Sequence, residues 1–329
     1  MTYLTLHDPY GKLHTDSRLT APPSKATHMA WMPVSLMWAK PDHTSSTISQ
    51  IVHGEPVALL ESKGDYSRIV SLHDGYVGWV FTGELCPWPP SLPPQNPAGT
   101  ESAAAGGAQA LLEGTQTHAS APPTLGNATE TAYQHLQCCV RQSWALRDPD
   151  VKSPPQMALS MGARLFGTGR TQGTYTETLT GWVPTHHLST IAPHTMGQSL
   201  SSRLVHVAQQ WMGVPYLWGG RSFSGIDCSG LVQVALLQLG YAAHRDSDLQ
   251  FESLGRLLAE GETPQRGDLA FFPGHVGIFT DAEHILHANA TRMCVSVDPL
   301  AAVISWVEKD LKGRTPPSDK PAYLGARRL

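Results

Sequence analysis

Residues 87–130 set the first limit on what this chain can fold into. They carry Pro89-Pro90, Pro93-Pro94 and Pro122-Pro123 around a middle rich in Ala, Gly, Ser and Thr. Too few large apolar side chains lie here to offset the entropy of ordering the backbone. The stretch reads as a linker, with Ala103–Leu112 as the one place for a short helix. No single core can run through the sequence, so separate cores must form on either side. At 329 residues the chain is long enough for two or three.

Before the linker, residues 1–28 are a polar, irregular N-terminal extension with Pro22-Pro23. Residues 29–86 then follow a β pattern. Apolar runs such as Pro56-Val57-Ala58-Leu59-Leu60 and Ser67-Arg68-Ile69-Val70 alternate with the turn signals Lys63-Gly64-Asp65 and Asp74-Gly75. The segment closes on Gly75-Tyr76-Val77-Gly78-Trp79-Val80, and strands this short and this closely spaced predict a small barrel. A second β segment spans 131–192. It ends on Gly181-Trp182-Val183-Pro184 followed by His187-Leu188, which echoes Gly78-Trp79-Val80 followed by Glu84-Leu85. The echo predicts one small barrel used twice, with Trp79 and Trp182 in the cores.

Composition narrows the function classes. Hydrophobic residues make up 41% and charged residues 15%, the mark of a globular chain. A net charge of −4 gives no field that would favour nucleic acid or an anionic membrane, and neither is expected as a partner. Sixteen histidines predict surface charge that changes sign near pH 6. The first 20 residues do not read as a secretory signal, and no run of about 18 apolar residues predicts a membrane span. The cysteines are Cys86, Cys138, Cys139, Cys228 and Cys294. An odd number with two adjacent argues against a disulfide framework and for a reducing compartment, so a cytoplasmic location is expected. Neither His186-His187 nor His284 with His287 has metal-ligand spacing, so no metal or cofactor is expected.

The chemistry lies in 198–329. Leu200–Trp211 has the apolar spacing of an amphipathic helix. A breaker-rich loop follows, Gly213-Val214-Pro215-Tyr216-Leu217-Trp218-Gly219-Gly220. A second helix is entered through Asp227 as N-cap and stopped at Gly240. Cys228 falls in its first turn, where the helix dipole and free N–H groups favour thiolate over thiol. The Cys228 amide is placed to stabilise an oxyanion. Downstream, Leu269–Phe272, His275–Phe279 and His284–Ala288 read as three strands, two of them carrying histidines. A cysteine nucleophile needs a base, and the base needs a polar group to orient it. His275 and His287 fit those two roles, if antiparallel pairing brings them into register.

These residues resemble the NlpC/P60 family of papain-like cysteine peptidases. The resemblance rests on PYLWGG at 215–220, DCSGLV at 227–232, RGDLAFF at 266–272, HVGIF at 275–279 and LHA at 286–288. It implies Cys228 as nucleophile, His275 as base and His287 as the third member, with Tyr216 assisting the oxyanion hole. The two β segments resemble bacterial SH3 domains. The implied architecture is α+β, a papain-like NlpC/P60 catalytic domain preceded by two small SH3-like β-barrels.

The whole arrangement is similar to the γ-D-glutamyl-L-diamino acid endopeptidases, also called dipeptidyl-peptidase VI. That likeness implies a murein-derived peptide with a free N-terminal L-alanine as substrate, cut in cell-wall recycling. It implies that Asp246 and Ser247 read the amine together with Tyr76 of the first barrel. For a further acidic contact from that barrel the candidate is Glu55, with Ser46 as the other occupant of the position. Asp227 and Ser229, flanking Cys228, are expected to touch substrate. A carboxylate such as Asp246 suits an ammonium, which is costly to desolvate unpaired. Readings from other classes are a non-catalytic wall-binding module and an amidase or acyltransferase of the same superfamily. The oligomeric state has no signal in the sequence.

Overall fold

The computed structural model of the protein describes residues 16–20, 25–88, 133–190 and 199–329, with the backbone of Thr2–Tyr3. Nearly all of the expected 87–130 linker, including Ala103–Leu112, lies outside the described residues.

Short strands rich in β-branched and aromatic residues, broken by Gly and Asp, form two barrels. The first holds β1 (His28–Ala30), β2 (Val34–Trp38), β3 (Thr47–Val52), β4 (Pro56–Lys63), β5 (Tyr66–Ser71), β6 (Val77–Phe81) and β7 (Leu85–Pro87). Their order in the sheet is β3-β2-β6-β5-β4-β1-β7. The second holds β8 (Gln134–Cys138), β9 (Gln142–Leu146), β10 (Pro155–Ser160), β11 (Arg164–Gln172), β12 (Tyr175–Thr178), β13 (Gly181–Pro184) and β14 (Leu188–Thr190). Their order, β10-β9-β13-β12-β11-β8-β14, traces the same path. The Gly-Trp-Val echo is thus the trace of a repeated topology. In each barrel a short 3-10 turn follows that strand, at Thr82–Glu84 and Thr185–His187. Trp182 is buried as expected, but Trp79 is only half-buried. It lies opposite Trp38 and Arg68 on its neighbouring strands and not in the core.

The C-terminal domain opens with α1 (Leu200–Gln209) and a hairpin of β15 (Arg221–Ser222) and β16 (Gly225–Ile226). Then come α2 (Cys228–Gln238) and α3 (Ser247–Ser253). An antiparallel sheet follows, built from β17 (Arg256–Leu257), β18 (Leu269–Phe272), β19 (His275–Phe279), β20 (His284–Asn289), β21 (Cys294–Pro299) and β22 (Gly325–Arg328). Its order is β17-β22-β18-β19-β20-β21, with α4 (Leu300–Gly313) inserted before the last strand. Leu269 and Phe271 join the core around α1 and α2, whereas Ala270 and Phe272 join the core around α4. Covered on both faces, β18 is apolar throughout instead of alternating.

The three units share their cores. Val52 of the first barrel packs in the core of the second, Leu249 of α3 in the core of the first, and Met161 of the second barrel in the core around α2. Between the barrels, buried His53 bonds Thr180 Oγ1 at 2.9 Å and the Trp31 carbonyl at 2.7 Å. Desolvation holds its pKa down to about 4, so the ring is neutral at physiological pH. Next to it, Gly54 has φ +74°, and a Cβ there would lie 2.0 Å from the Arg164 carbonyl oxygen. Gly64 also has positive φ, +58°, but nothing lies within 4 Å.

Gly54→Ala should therefore separate the barrels at a cost of about 3 kcal/mol or more, and Gly64→Ala should cost only the backbone strain, about 1 kcal/mol. Thermal unfolding of the two variants checks this. Equal shifts in Tm would mean that the barrels do not meet at Gly54.

Candidate active site

Asp227 caps α2. Its Oδ1 accepts the Gly230 amide at 2.7 Å and its Oδ2 accepts the Gly219 amide at 2.9 Å. One carboxylate thereby fixes the helix start and the Pro215–Gly220 loop together. Arg245, buried, donates to Oδ1 at 3.0 Å and to Oδ2 at 2.6 Å. The same guanidinium donates to Ser229 Oγ at 3.0 Å and to Ser49 Oγ of the first barrel at 3.0 Å. These contacts place Asp227 and Ser229, both expected to touch substrate, in the framework of the helix start. A carboxylate has about four acceptor sites, and here Gly230, Gly219, Arg245 and Ser229 fill them. Ser229 Oγ is engaged by both Arg245 and Asp227. Both side chains build the helix start.

Cys228 is the first residue of α2 and is buried. Desolvation pushes its thiol up to about 12, the Asp227 carboxylate adds to this, and the backbone amides of Val276 and Ser229 and the charge of Arg245 pull the other way. The expected gain of thiolate at a helix start is outweighed, since desolvation and a neighbouring carboxylate both oppose a second anion. The Val276 amide places the thiol beside the start of β19, one residue from His275.

His275 and His287 meet, though not as opposite partners. β19 and β20 pair Ile278 with Leu286, so Gly277 and not His275 faces His287. The two rings join diagonally, His275 Nε2 to His287 Nδ1 at 2.7 Å, with centroids 5.0 Å apart. A Cβ at residue 277 would lie 3.3 Å from the Cβ of His287 and 2.9 Å from Ile285 Cδ1, so the glycine gives the rings room. Desolvation, with His287 second, holds His275 down to about 3. At neutral pH thiol and imidazole are thus both uncharged, and attack requires a proton to pass from sulfur to ring.

The sequence reading missed what lies behind His287. Its Nε2 is 3.3 Å from Asp298 Oδ2, and that carboxylate is buried on β21. Asp298 also accepts Ser296 Oγ, and Arg292 Nε at 2.7 Å. Asn289 Nδ2 lies 3.3 Å from His287 Nε2 and donates to Ser296 Oγ at 2.9 Å. Burial alone would raise the pKa of Asp298, but Arg292, Ser296 and His287 bring it below the usual carboxylate range. The available signal was the β21 alternation, Ser296 to Asp298, which puts both on the face of His287.

Tyr76 donates its hydroxyl to Asp246 Oδ2 at 3.0 Å, joining the first barrel to the N-cap of α3. Ser247 is the first residue of that helix and is half-buried. Tyr216 is half-buried, its amide bonded to the Met293 carbonyl at 2.9 Å. Burial, then the charges of Cys228 and Asp227, raise its hydroxyl pKa, so it stays a donor next to the thiol. Glu55 is not part of this group. It is buried, with Oε2 accepting Arg221 Nη1 at 2.8 Å and the Val52 amide at 2.9 Å. An acid so enclosed latches the barrel to β15. Ser46 is exposed, with its carbonyl on the Ala39 amide.

A thiol, a neutral imidazole, a second imidazole and a buried carboxylate in sequence are equipped for acyl transfer. Comparison with known proteins agrees. Residues 213–311 match the NlpC/P60 family and residues 37–85 match the bacterial dipeptidyl-peptidase Sh3 domain. Dipeptidyl-peptidase 6 of Lysinibacillus sphaericus is 32% identical over 184 residues, 52% of this chain and 68% of that protein. A gamma-D-glutamyl-L-lysine dipeptidyl-peptidase of Bacillus cereus is 30% identical over 105 residues, 30% of this chain and 31% of that protein. The fold is shared with the crystal structure of an NlpC/P60 family protein from Bacillus cereus. The TM-score is 0.63 at 17% identity, covering 92% of this chain and 99% of that one. The chain belongs to the NlpC/P60 family. It is a cysteine peptidase with SH3-like barrels in front of its catalytic domain.

Removal of the thiol in Cys228→Ala should lower turnover of a murein peptide by roughly 10³-fold or more. His275→Ala should cost more than His287→Ala, because an orienting group leaves some productive rotamers when it is lost. Asp298→Asn should cost about ten-fold in kcat, acting through His287. Steady-state kinetics on the four variants decides. A larger loss in His287→Ala would exchange the two histidine roles, and wild-type turnover in Asp298→Asn would reduce that carboxylate to packing.

Proposed function

We propose that the chain hydrolyses the γ-D-glutamyl–diamino acid bond of murein peptides that carry a free N-terminal L-alanine, in the recycling of wall fragments. Cys228 attacks the γ-carbonyl carbon while His275 Nδ1, the ring nitrogen that His287 does not engage, takes the thiol proton. The Cys228 amide and Tyr216 hydroxyl hold the oxyanion. Collapse expels the diamino acid amine, which takes the proton from His275, and leaves a γ-glutamyl thioester. Water, deprotonated by His275, releases the acid and restores the thiol.

The observation that carries this reading is the contact between Tyr76 and Asp246. One domain contributes the donor and the other the acceptor, where a substrate's N-terminus would lie. The L-alanine ammonium would pair with Asp246, and Ser247 and Tyr76 would add polar contacts. The first barrel, with Leu249 of α3 in its core, walls this end and suits a short peptide better than an intact wall strand. The names of the Lysinibacillus and Bacillus relatives support the same bond class.

N-acetylation of L-Ala-γ-D-Glu-diaminopimelate should lower kcat/KM by at least 10- to 150-fold, the worth of a charged hydrogen bond of about 1.5–3 kcal/mol. Asp246→Asn should narrow that gap and leave alkylation of Cys228 by iodoacetamide unchanged. Equal cleavage of the acetylated and free peptides, resolved by mass, would leave a broader murein endopeptidase in its place.

We also infer a reducing compartment, the cytoplasm, as the place of action. All five cysteines carry free thiols, and Cys138 and Cys139 are neighbours in the chain. Thiol titration of the protein from its native source, denatured without reductant, should count five. A count of one or three would argue for disulfides and export.

A further inference from the structure

The N-terminal extension reaches the amine end of the cleft. Leu19 is buried in the core of the first barrel. On either side of it, the Val77 amide donates to the Arg18 carbonyl at 2.9 Å and the Thr20 amide donates to the Gly75 carbonyl at 3.0 Å. Arg18 is thus fixed alongside Tyr76.

A guanidinium has five N–H donors, and here all five are used on three carboxylates. Nε and Nη2 bond Asp16 Oδ1 and Oδ2 at 3.0 and 2.7 Å. Nη1 and Nη2 bond Asp248 Oδ1 and Oδ2 at 3.2 and 2.9 Å. The remaining Nη1 proton goes to Asp246 Oδ2 at 2.9 Å, the same oxygen that accepts Tyr76. Among the described residues, Asp246 Oδ1 has no hydrogen-bond partner.

We propose that Arg18 is a positioning residue of the amine subsite, clamping Asp246 through Oδ2 so that Oδ1 is presented to the substrate's ammonium. The inference rests on the function proposed above. A half-buried carboxylate held by one tyrosine could swing about its χ2 and exchange oxygens. A second donor on the same oxygen, anchored through the backbone at residues 18 and 20, removes that freedom. The clamp does not cancel the attraction for a cation. Three carboxylates against one guanidinium leave two negative charges at this corner. Burial raises the pKa of Asp246, and Arg245, Arg18 and Tyr76 each oppose the rise, so the clamp also favours the charged form that an ammonium needs.

The test uses the full chain with Arg18→Gln and Arg18→Lys, on L-Ala-γ-D-Glu-diaminopimelate and its N-acetyl form. Arg18→Gln should raise KM for the free peptide about ten-fold, with kcat within about two-fold. Arg18→Lys keeps the charge but not the fork, and should recover part of the loss. Alkylation of Cys228 by iodoacetamide should match the wild type in both, reporting an intact fold. A KM that stays put, a loss confined to kcat, or no recovery with lysine overturns the clamp. A lower KM in Arg18→Gln also overturns it, and makes Arg18 a plug that substrate must displace. If the wild type itself fails to discriminate against the acetylated peptide, the amine subsite falls and the clamp with it. Discrimination by the wild type with no effect of Arg18→Gln sinks the clamp alone.

Discussion

Arg245 is the residue on which the site depends. Its guanidinium is buried among Asp227, Ser229, the Gly220 carbonyl and Ser49. Through Asp227 it fixes the start of α2 and hence Cys228. Through Gly220 it steadies the loop that carries Tyr216. Through Ser49 it ties all of these to the first barrel. The next residue in the chain is Asp246, which accepts the Tyr76 hydroxyl. Loss of one member of such a buried pair leaves an uncompensated charge, at about 3–5 kcal/mol. The helix start that carries Cys228 and the loop that carries Tyr216 are therefore set by one cation.

A second set of buried charges makes the first barrel part of the enzyme and not a module on a tether. Arg221 of β15 donates to Glu55 and to the Gln50 carbonyl, and its own amide donates to Gln50 Oε1 at 2.9 Å. From the opposite side, Gln233 of α2 donates to Asp74 at 2.7 Å. Desolvated polar pairs of this kind are specific in geometry, since any other docking would leave them unsatisfied. A barrel that served only to bind wall polymer would have no use for such a seam. Its position argues for substrate selection by the assembled cleft.

The legible parts of the sequence were those with a local signature. The Asp-Cys start of α2, with breakers before it and Gly240 after, marks itself in a few residues. The strands around His275 and His287 announce themselves by apolar runs, and the paired Gly-Trp-Val elements announced a repeated barrel. Charge pairs across the fold have no such signature. Arg18 and Asp246 are separated by most of the chain, and only the assembled barrel brings them together. Asp298 needed the register of β20 on β21, in which it faces Ile285 and leans to His287. Glu55 was a candidate for a ligand contact because the family resemblance implies an acidic residue from the first barrel. Its burial against Arg221 follows from a docking that no local pattern encodes. Asp227 was read as cap and substrate contact together, and the cap is what the structure shows.

Three carboxylates ring the site, each has an arginine, and the exposure of the arginine sorts their work. Asp227 and Arg245 have side chains 9% and 1% exposed. The two are saturated by each other and by the helix start, so the pair serves the architecture. Asp298 is 1% exposed but Arg292 is 54% exposed. The carboxylate there keeps its charge with partial help from a solvated cation, and its remaining field falls on His287. That suits a group meant to stabilise an imidazolium that forms only during reaction. Asp246 and Arg18 are 26% and 36% exposed. A carboxylate sealed with its arginine has no affinity to offer a ligand, and one fully in water offers little, because solvent screens it. Asp246 lies between the two limits, dry enough for an ammonium's charge to count and open enough for the ammonium to arrive. By this measure Asp246, more than Asp227 or Asp298, is the carboxylate that the fold leaves charged and open to a partner.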